Sequence, residues 1–283
     1  MGKNGRKSCR RWLLPAALVL AGAAWFENFT LSSSTVEVHD AALPAAFSGL
    51  RVVQISDLHG RRFDAGSRYL LALVRLQSPD IIALTGDLAD EFTDVSMLPP
   101  LLEGLTALAP TFLRDGQPRW VLSREKRQAL FDLLDAAGVI RLPNECRLLE
   151  KGGASIVLAG VDDPNGPYDQ KRPAQLVREN PAAVQQGRAY PHALAPQRRA
   201  AALGAHGRAD GPVRPRPRRH RAPARHRRGL RHAYGPVPGL YRGPVRKDGT
   251  AMVVSRGLGG SRKLPLRIGN RPEVVTVVLQ TEN

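Results

Sequence analysis

Val52-Val53-Gln54-Ile55-Ser56-Asp57-Leu58-His59-Gly60 and, after a gap, Ile81-Ile82-Ala83-Leu84-Thr85-Gly86-Asp87-Leu88-Ala89-Asp90 decide how this chain reads. Each opens with a short apolar run of strand type, Leu50–Ile55 and Ile81–Thr85, and each ends in carboxylates. Between them, Leu70, Leu71, Leu73 and Val74 recur at helical spacing within Ser67–Gln77. The pattern predicts a strand–helix–strand unit with a right-handed crossover and parallel strands, so both C-terminal strand ends lie side by side. On extended backbone, Asp57 and His59 project to one side and Leu58 to the other. Two aspartates and an imidazole then meet at the edge where open α/β sheets hold ligands. Such oxygen and nitrogen donors suit Mn, Fe or Zn, and a bridging carboxylate serves a two-metal hydrolase.

These two stretches resemble the calcineurin-like metallophosphoesterases, and more narrowly their bacterial exported or membrane-attached phosphodiesterase branch. Further similarity lies in Ile156–Pro164, in Val253-Val254-Ser255-Arg256-Gly257-Leu258-Gly259-Gly260-Ser261, and in Arg271-Pro272-Glu273 before the run Val274–Leu279. The resemblance covers roughly residues 48–113, 120–178 and 236–280. It implies an α/β fold, an αββα sandwich of two mixed β-sheets, with two divalent or trivalent ions (Mn, Fe or Zn) at the strand ends. It implies metal binding by Asp57 and His59, a bridging Asp87, and Asp90 as a hydrogen-bonding group that orients the ligands.

The family also has a Gly-Asn-His-Glu motif, a later lone His and a Gly-His-x-His-Gly-Gly loop. This chain has none of them as written. After Ala109–Leu113 it reads Arg114-Asp115-Gly116-Gln117-Pro118-Arg119. The expected catalytic His is missing near Pro118, so no catalytic residue is assigned, and Gln117 offers at most a weak amide ligand. One metal site is therefore expected to be incomplete.

The genetic code suggests a reason. Shifted by one nucleotide, codons for residues 114–119 permit Val-Thr-Gly-Asn-His-Glu. In the same shifted frame, residues 214–219 permit Gly-His-Ala-His-Gly-Gly and residues 196–198 permit His-Asn-Asp. Residues 114–119 and about 180–235 thus read as out-of-frame translation. From Gln185 to His232 there are thirteen arginines, no lysine and one acid, which accounts for +12 of the net +17. This window lacks apolar periodicity, and its composition predicts disorder.

A basic balance of this size points to nucleic acid or anionic membrane. The Arg-rich window would attract phosphate backbones in a salt-sensitive way. It lacks interleaved aromatics for base stacking, so no specific nucleic-acid partner is expected. An Arg-rich non-specific nucleic-acid-binding protein and a catalytically dead, membrane-attached remnant stand as the alternatives to a phosphoester hydrolase.

The first 26 residues read as a twin-arginine-like signal or membrane anchor, with Lys3, Arg6, Lys7, Arg10 and Arg11 preceding the apolar Trp12–Phe26. Ala21-Gly22-Ala23 offers a cleavage site. Residues 27–47 read as a lead-in and 48–283 as the metallophosphoesterase-like domain, exported across or anchored in the bacterial cytoplasmic membrane and facing outward. A membrane-facing domain would suit a phosphoester substrate that is lipid-linked. Cys146 has no partner other than Cys9 in the leader, so no disulfide is expected in a mature chain.

Ser123 reads as the N-cap of a helix from Arg124 to Ala137 that Gly138 ends. Ala251–Ser255 and Val274–Leu279 suit buried strands. The loop with Arg256, Gly257 and Gly259 reads first as a turn and second as a phosphate-binding loop.

Overall fold

In the computed structural model the described residues are 4–114, 122–161, 175–176, 179, 191–194, 201–203, 245–247, 250–260, 267 and 269–282. Twelve strands among them form two six-stranded mixed sheets. The strands are β1 (Ser32–His39), β2 (Arg51–Ser56), β3 (Ile81–Thr85), β4 (Thr111–Leu113), β5 (Ile140–Arg141) and β6 (Cys146–Lys151). They continue as β7 (Ala154–Gly160), β8 (Pro191–Leu194), β9 (Ala201–Leu203), β10 (Val245–Lys247), β11 (Thr250–Val253) and β12 (Glu273–Gln280). The first sheet runs β1-β12-β2-β3-β4-β5 and the second β10-β11-β9-β8-β7-β6. In the first, β2 to β5 are parallel and only the β12–β2 pair is antiparallel.

Residue alternation along the central strands builds two cores from one sheet. Val53, Ile55, Ile82 and Leu84 face the helices α2 (Arg68–Leu76), α3 (Pro99–Thr106) and α4 (Arg124–Ala136). There they pack with Leu70, Val74, Leu102, Leu105, Leu130 and Leu134. Val52, Ile81, Ala83 and Phe112 turn the other way and pack with Ile156, Leu158, Ala251 and Val253 of the second sheet. Strands buried on both faces read as continuous apolar runs, as these do. The fold is therefore the expected α/β sandwich of two mixed sheets. On the outer face of the second sheet, Ala159, Val161 and Leu176 form a small third cluster.

Helix α4 begins where its cap predicts: Ser123 Oγ accepts from Lys126 N at 3.3 Å, and Gly138 ends the helix at φ 74°.

Three boundaries differ from the sequence reading. The lead-in 27–47 contains β1, which pairs with β12 along its whole length. Its Ser-rich alternation, half-exposed at an edge, carries too little apolar signal to mark a strand. The leader boundary at residue 26 falls inside a helix, α1 (Asn4–Phe29), which continues through Pro15. The Arg-rich window contains β8 and β9, where disorder was expected. Backbone pairing with β7 and β11 supplies what composition alone withholds. The rest of that window, and residues 115–121, lie outside the described residues.

Candidate metal centre

Strand β2 ends at Ser56 and β3 at Thr85, in register as parallel neighbours, so the two loops that follow begin at one edge. They run side by side: Asp57 N donates to Thr85 O (2.9 Å), His59 N to Asp87 O (2.9 Å) and Gly60 N to Leu88 O (3.0 Å). Asp57 and His59 are not on extended backbone. Both sit in the left-handed region, at φ 48° and 49°. A non-glycine residue there stores strain, a conformation that clusters at functional sites. The two side chains are brought together by this turn and not by strand alternation.

Asp57 is held tightly. Its carboxylate accepts from Ser56 Oγ at 2.5 Å and from the Asp87 backbone amide. Gly86, at φ 71°, lies directly against it, and a Cβ there would come within 2.6 Å of Asp57 Cγ. Only glycine leaves room for the carboxylate at this point. Burial raises the Asp57 pKa above its ordinary value, and the neighbouring Asp87 charge adds to this. The Ser56 hydrogen bond and the nearby His59 act in the opposite direction without cancelling it. Burial thus dominates the balance, and a cation placed beside the carboxylate would act against it.

Asp90 lies behind His59, with Oδ2 3.8 Å from Nδ1. Its other oxygen accepts from Thr93 Oγ1 (2.9 Å) and Phe92 N (3.1 Å), which fixes the carboxylate. Gly60 packs against Thr93, so this turn closes on itself.

The glycine-rich loop closes the opposite side. Leu258 N donates to Ser56 O at 2.8 Å and Gly259 N to Asp57 O at 2.6 Å. A Cβ at Gly259 would meet Asp57 O at 2.5 Å and the His59 ring at 2.8 Å. Gly257 N donates to Ser255 Oγ at 3.0 Å. The amides of residues 256 to 259 are all engaged inside the protein, so this part of the loop buttresses the site. Arg256 forms a two-point pair with Glu273 (2.9 and 3.0 Å), with side chains 15% and 6% exposed.

Sequence reasoning missed Ser56, Thr93, Arg61 and Arg267. Ser56 and Thr93 are legible only once the turns are known. Arg61 is brought in by its contact with Leu258, 197 residues away, and Arg267 by its contact with Asn28, 239 residues away.

The donor types at Asp57, His59 and Asp87 suit a hard-to-borderline cation. Among the described residues, however, no three His, Cys, Asp or Glu side chains are close enough together to form a metal-binding group. The adjacent strand tip, at β4, carries the fully buried Arg114, whose amide donates to Leu84 O at 3.1 Å. The fit to a divalent ion is thus partial, in chemistry but not in assembled geometry. Gln117 and Pro118 lie outside the described residues.

No family model matches the chain. It is 32% identical over 117 residues to the uncharacterized metallophosphoesterase YkoQ of Bacillus subtilis, a match covering 40% of this chain and 43% of that one. The similarity is thus to a metallophosphoesterase, over less than half of either chain. The chain spans less than half the length of that relative. Among solved structures, TT1561 of Thermus thermophilus is similar over 52% of this chain and 67% of its own, at 14% identity and a TM-score of 0.35. The phosphopantetheinyl hydrolase PptH of Mycobacterium tuberculosis is similar over 47% and 52%, at 16% identity and a TM-score of 0.29. Scores this low carry no functional argument.

Proposed function

We propose that this chain is a phosphoester hydrolase of the metallophosphoesterase type whose metal centre is incomplete as written. The reading is carried by the two parallel strand tips that draw Asp57, His59 and Asp87 to one sheet edge, with Gly86 and Gly259 leaving them space. Asp57, His59 and Asp87 would hold an ion, and Asp90 would orient the His59 ring. A pair of such ions, if bound there, would supply Lewis-acid activation of water and stabilisation of charge on the transferring phosphoryl group. This chain's own residues would contribute the Asp57 carboxylate, whose pKa, raised mainly by burial, a bound cation would lower. Ser56 would keep that carboxylate aimed.

The alternative of a catalytically dead remnant has a specific observation in its favour: no three-donor group is assembled among the described residues. Hydrolysis of bis-p-nitrophenyl phosphate with added Mn decides between them. A rate at or near background is expected from this sequence, with Mn bound weakly and lost on Asp57→Asn. No Mn binding at all supports the remnant. A robust, chelator-sensitive rate shows that the centre is complete after all.

A further inference from the structure

Helix α1 carries an apolar segment, Trp12–Phe26, with no charged residue in it. From Leu14 to Ala23 every residue is exposed, on all sides of the helix, including Leu14, Leu18, Val19 and Leu20. Trp25, Phe26 and Phe29 add exposed aromatic surface. A helix that is apolar all round demands an apolar surrounding, and the protein body does not provide one here. The preceding residues offer five cations (Lys3, Arg6, Lys7, Arg10, Arg11) and no acid. Basic residues followed by an apolar helix complement an anionic bilayer surface. No described helix is long and apolar enough to cross a membrane. Fifteen apolar residues span about 22 Å, short of the roughly 30 Å hydrocarbon core.

The far end of the same helix is built into the rim of the candidate site. Asn28 is buried; its Nδ2 donates to Ala24 O (2.7 Å) and Arg267 O (3.2 Å), and its Oδ1 accepts from Arg267 N (2.7 Å). Arg61 donates to Asn28 O and, on its other nitrogen, to Leu258 O at 3.4 Å. Arg267 Nε donates to Gly259 O at 2.9 Å. Gly259 in turn abuts Asp57 O and the His59 ring. Two hydrogen-bonded paths therefore lead from the helix end to the loop that closes the site. Glu27, Thr30 and Leu31 add bonds to Asn270 and Arg271.

We propose that α1 docks into an anionic lipid bilayer while Asn28 clamps it to the Arg256–Gly260 loop, so that lipid contact and the site rim form one mechanical unit. This does not depend on the hydrolase reading, because neither measurement below involves turnover.

The test uses the full chain and vesicles of phosphatidylglycerol or phosphatidylcholine. Co-sedimentation with phosphatidylglycerol vesicles is expected, with at least a tenfold loss for the triple variant Leu14→Glu, Leu18→Glu, Val19→Glu. Circular dichroism of that variant should match the parent apart from α1. Equal sedimentation of the triple variant would assign binding to the Arg-rich stretch and overturn the proposal. So would a self-association that the triple variant dissolves in a chain that ignores vesicles. In hydrogen exchange, vesicles should slow the amides of residues 257–260. Asn28→Ala, which cuts the Arg267 path and keeps the Arg61 bond to the residue 28 carbonyl, should reduce that protection at Gly259 while sedimentation persists, and Asn28→Asp, which keeps the acceptor for Arg267 N, should recover part of it. Unchanged exchange in the parent chain on vesicles would overturn the clamp.

Discussion

Asp57 concentrates the chemistry of the site because three separate demands meet on one carboxylate. It lies in the left-handed region, it is pressed by Gly86, and it is partly buried beside a second aspartate. Its pKa is raised in the folded chain, so ionising it costs stability. The contribution of the protonated form is full below the ordinary value near 3.8 and is lost as pH rises through the folded value. Asp57→Asn should therefore raise the melting temperature of the metal-free protein at pH 7, read by calorimetry, while abolishing Mn binding. Glu273 behaves in the opposite sense. Burial pushes it up, but hydrogen bonds from Arg256 and Ser34, with the Arg256 charge, bring it below its ordinary value. Its stabilisation is present above about pH 4.5 and fades as pH falls through the depressed value. Glu273→Gln leaves the Arg256 guanidinium nearly enclosed and uncompensated, and should cost about 3 kcal/mol at pH 7 in urea unfolding. The same substitution should cost less as pH falls through that depressed value.

Helix α2 turns the strand ends into a site by closing the crossover between β2 and β3. Its sequence announces this, since Leu70 and Val74 sit four apart and both are fully buried against the sheet. Val74→Ala should cost about 2–3 kcal/mol, a truncated aliphatic side chain in a closed core, with a matching fall in urea midpoint and unchanged slope. The helix start is less legible. Asp64 accepts from Arg68 N and Tyr69 N (2.8 and 2.7 Å), although Ser67 stands nearer the first turn. Strand β1 is the opposite case. Its alternation of serine, threonine and valine is half-exposed, and only its parallel pairing with β12 makes it a strand.

Across the molecule, the first sheet and its helices keep the pattern that burial requires, while the chemistry expected at the tip of β4 is interrupted. Rewriting residues 114–119 as Val-Thr-Gly-Asn-His-Glu replaces a buried guanidinium with donors of the family type. Calorimetric titration of the rewritten chain should show Mn binding at least tenfold tighter than the parent. If rewriting leaves affinity unchanged, the out-of-frame reading of this stretch fails. Activity is expected to return only when residues 214–219 are rewritten as well, because a two-ion centre needs both donor sets.

Leu50–Ile55, Ile81–Thr85, the α2 leucines and the cap at Ser123 were readable from local periodicity and side-chain type, since each is decided by neighbours within a turn or strand. The adjacency of the two strand ends that carry Asp57 and Asp87 is readable in the same way, whereas the left-handed conformation of Asp57 and His59 is not. The pairing of the Asp57 turn with Thr85 and Asp87, the support from Gly259 and the path from Asn28 through Arg267 all join residues distant in sequence. Contacts of that kind leave no periodic trace in a single chain, because their partners are selected by how the sheet edge, the closing loop and the first helix pack in three dimensions.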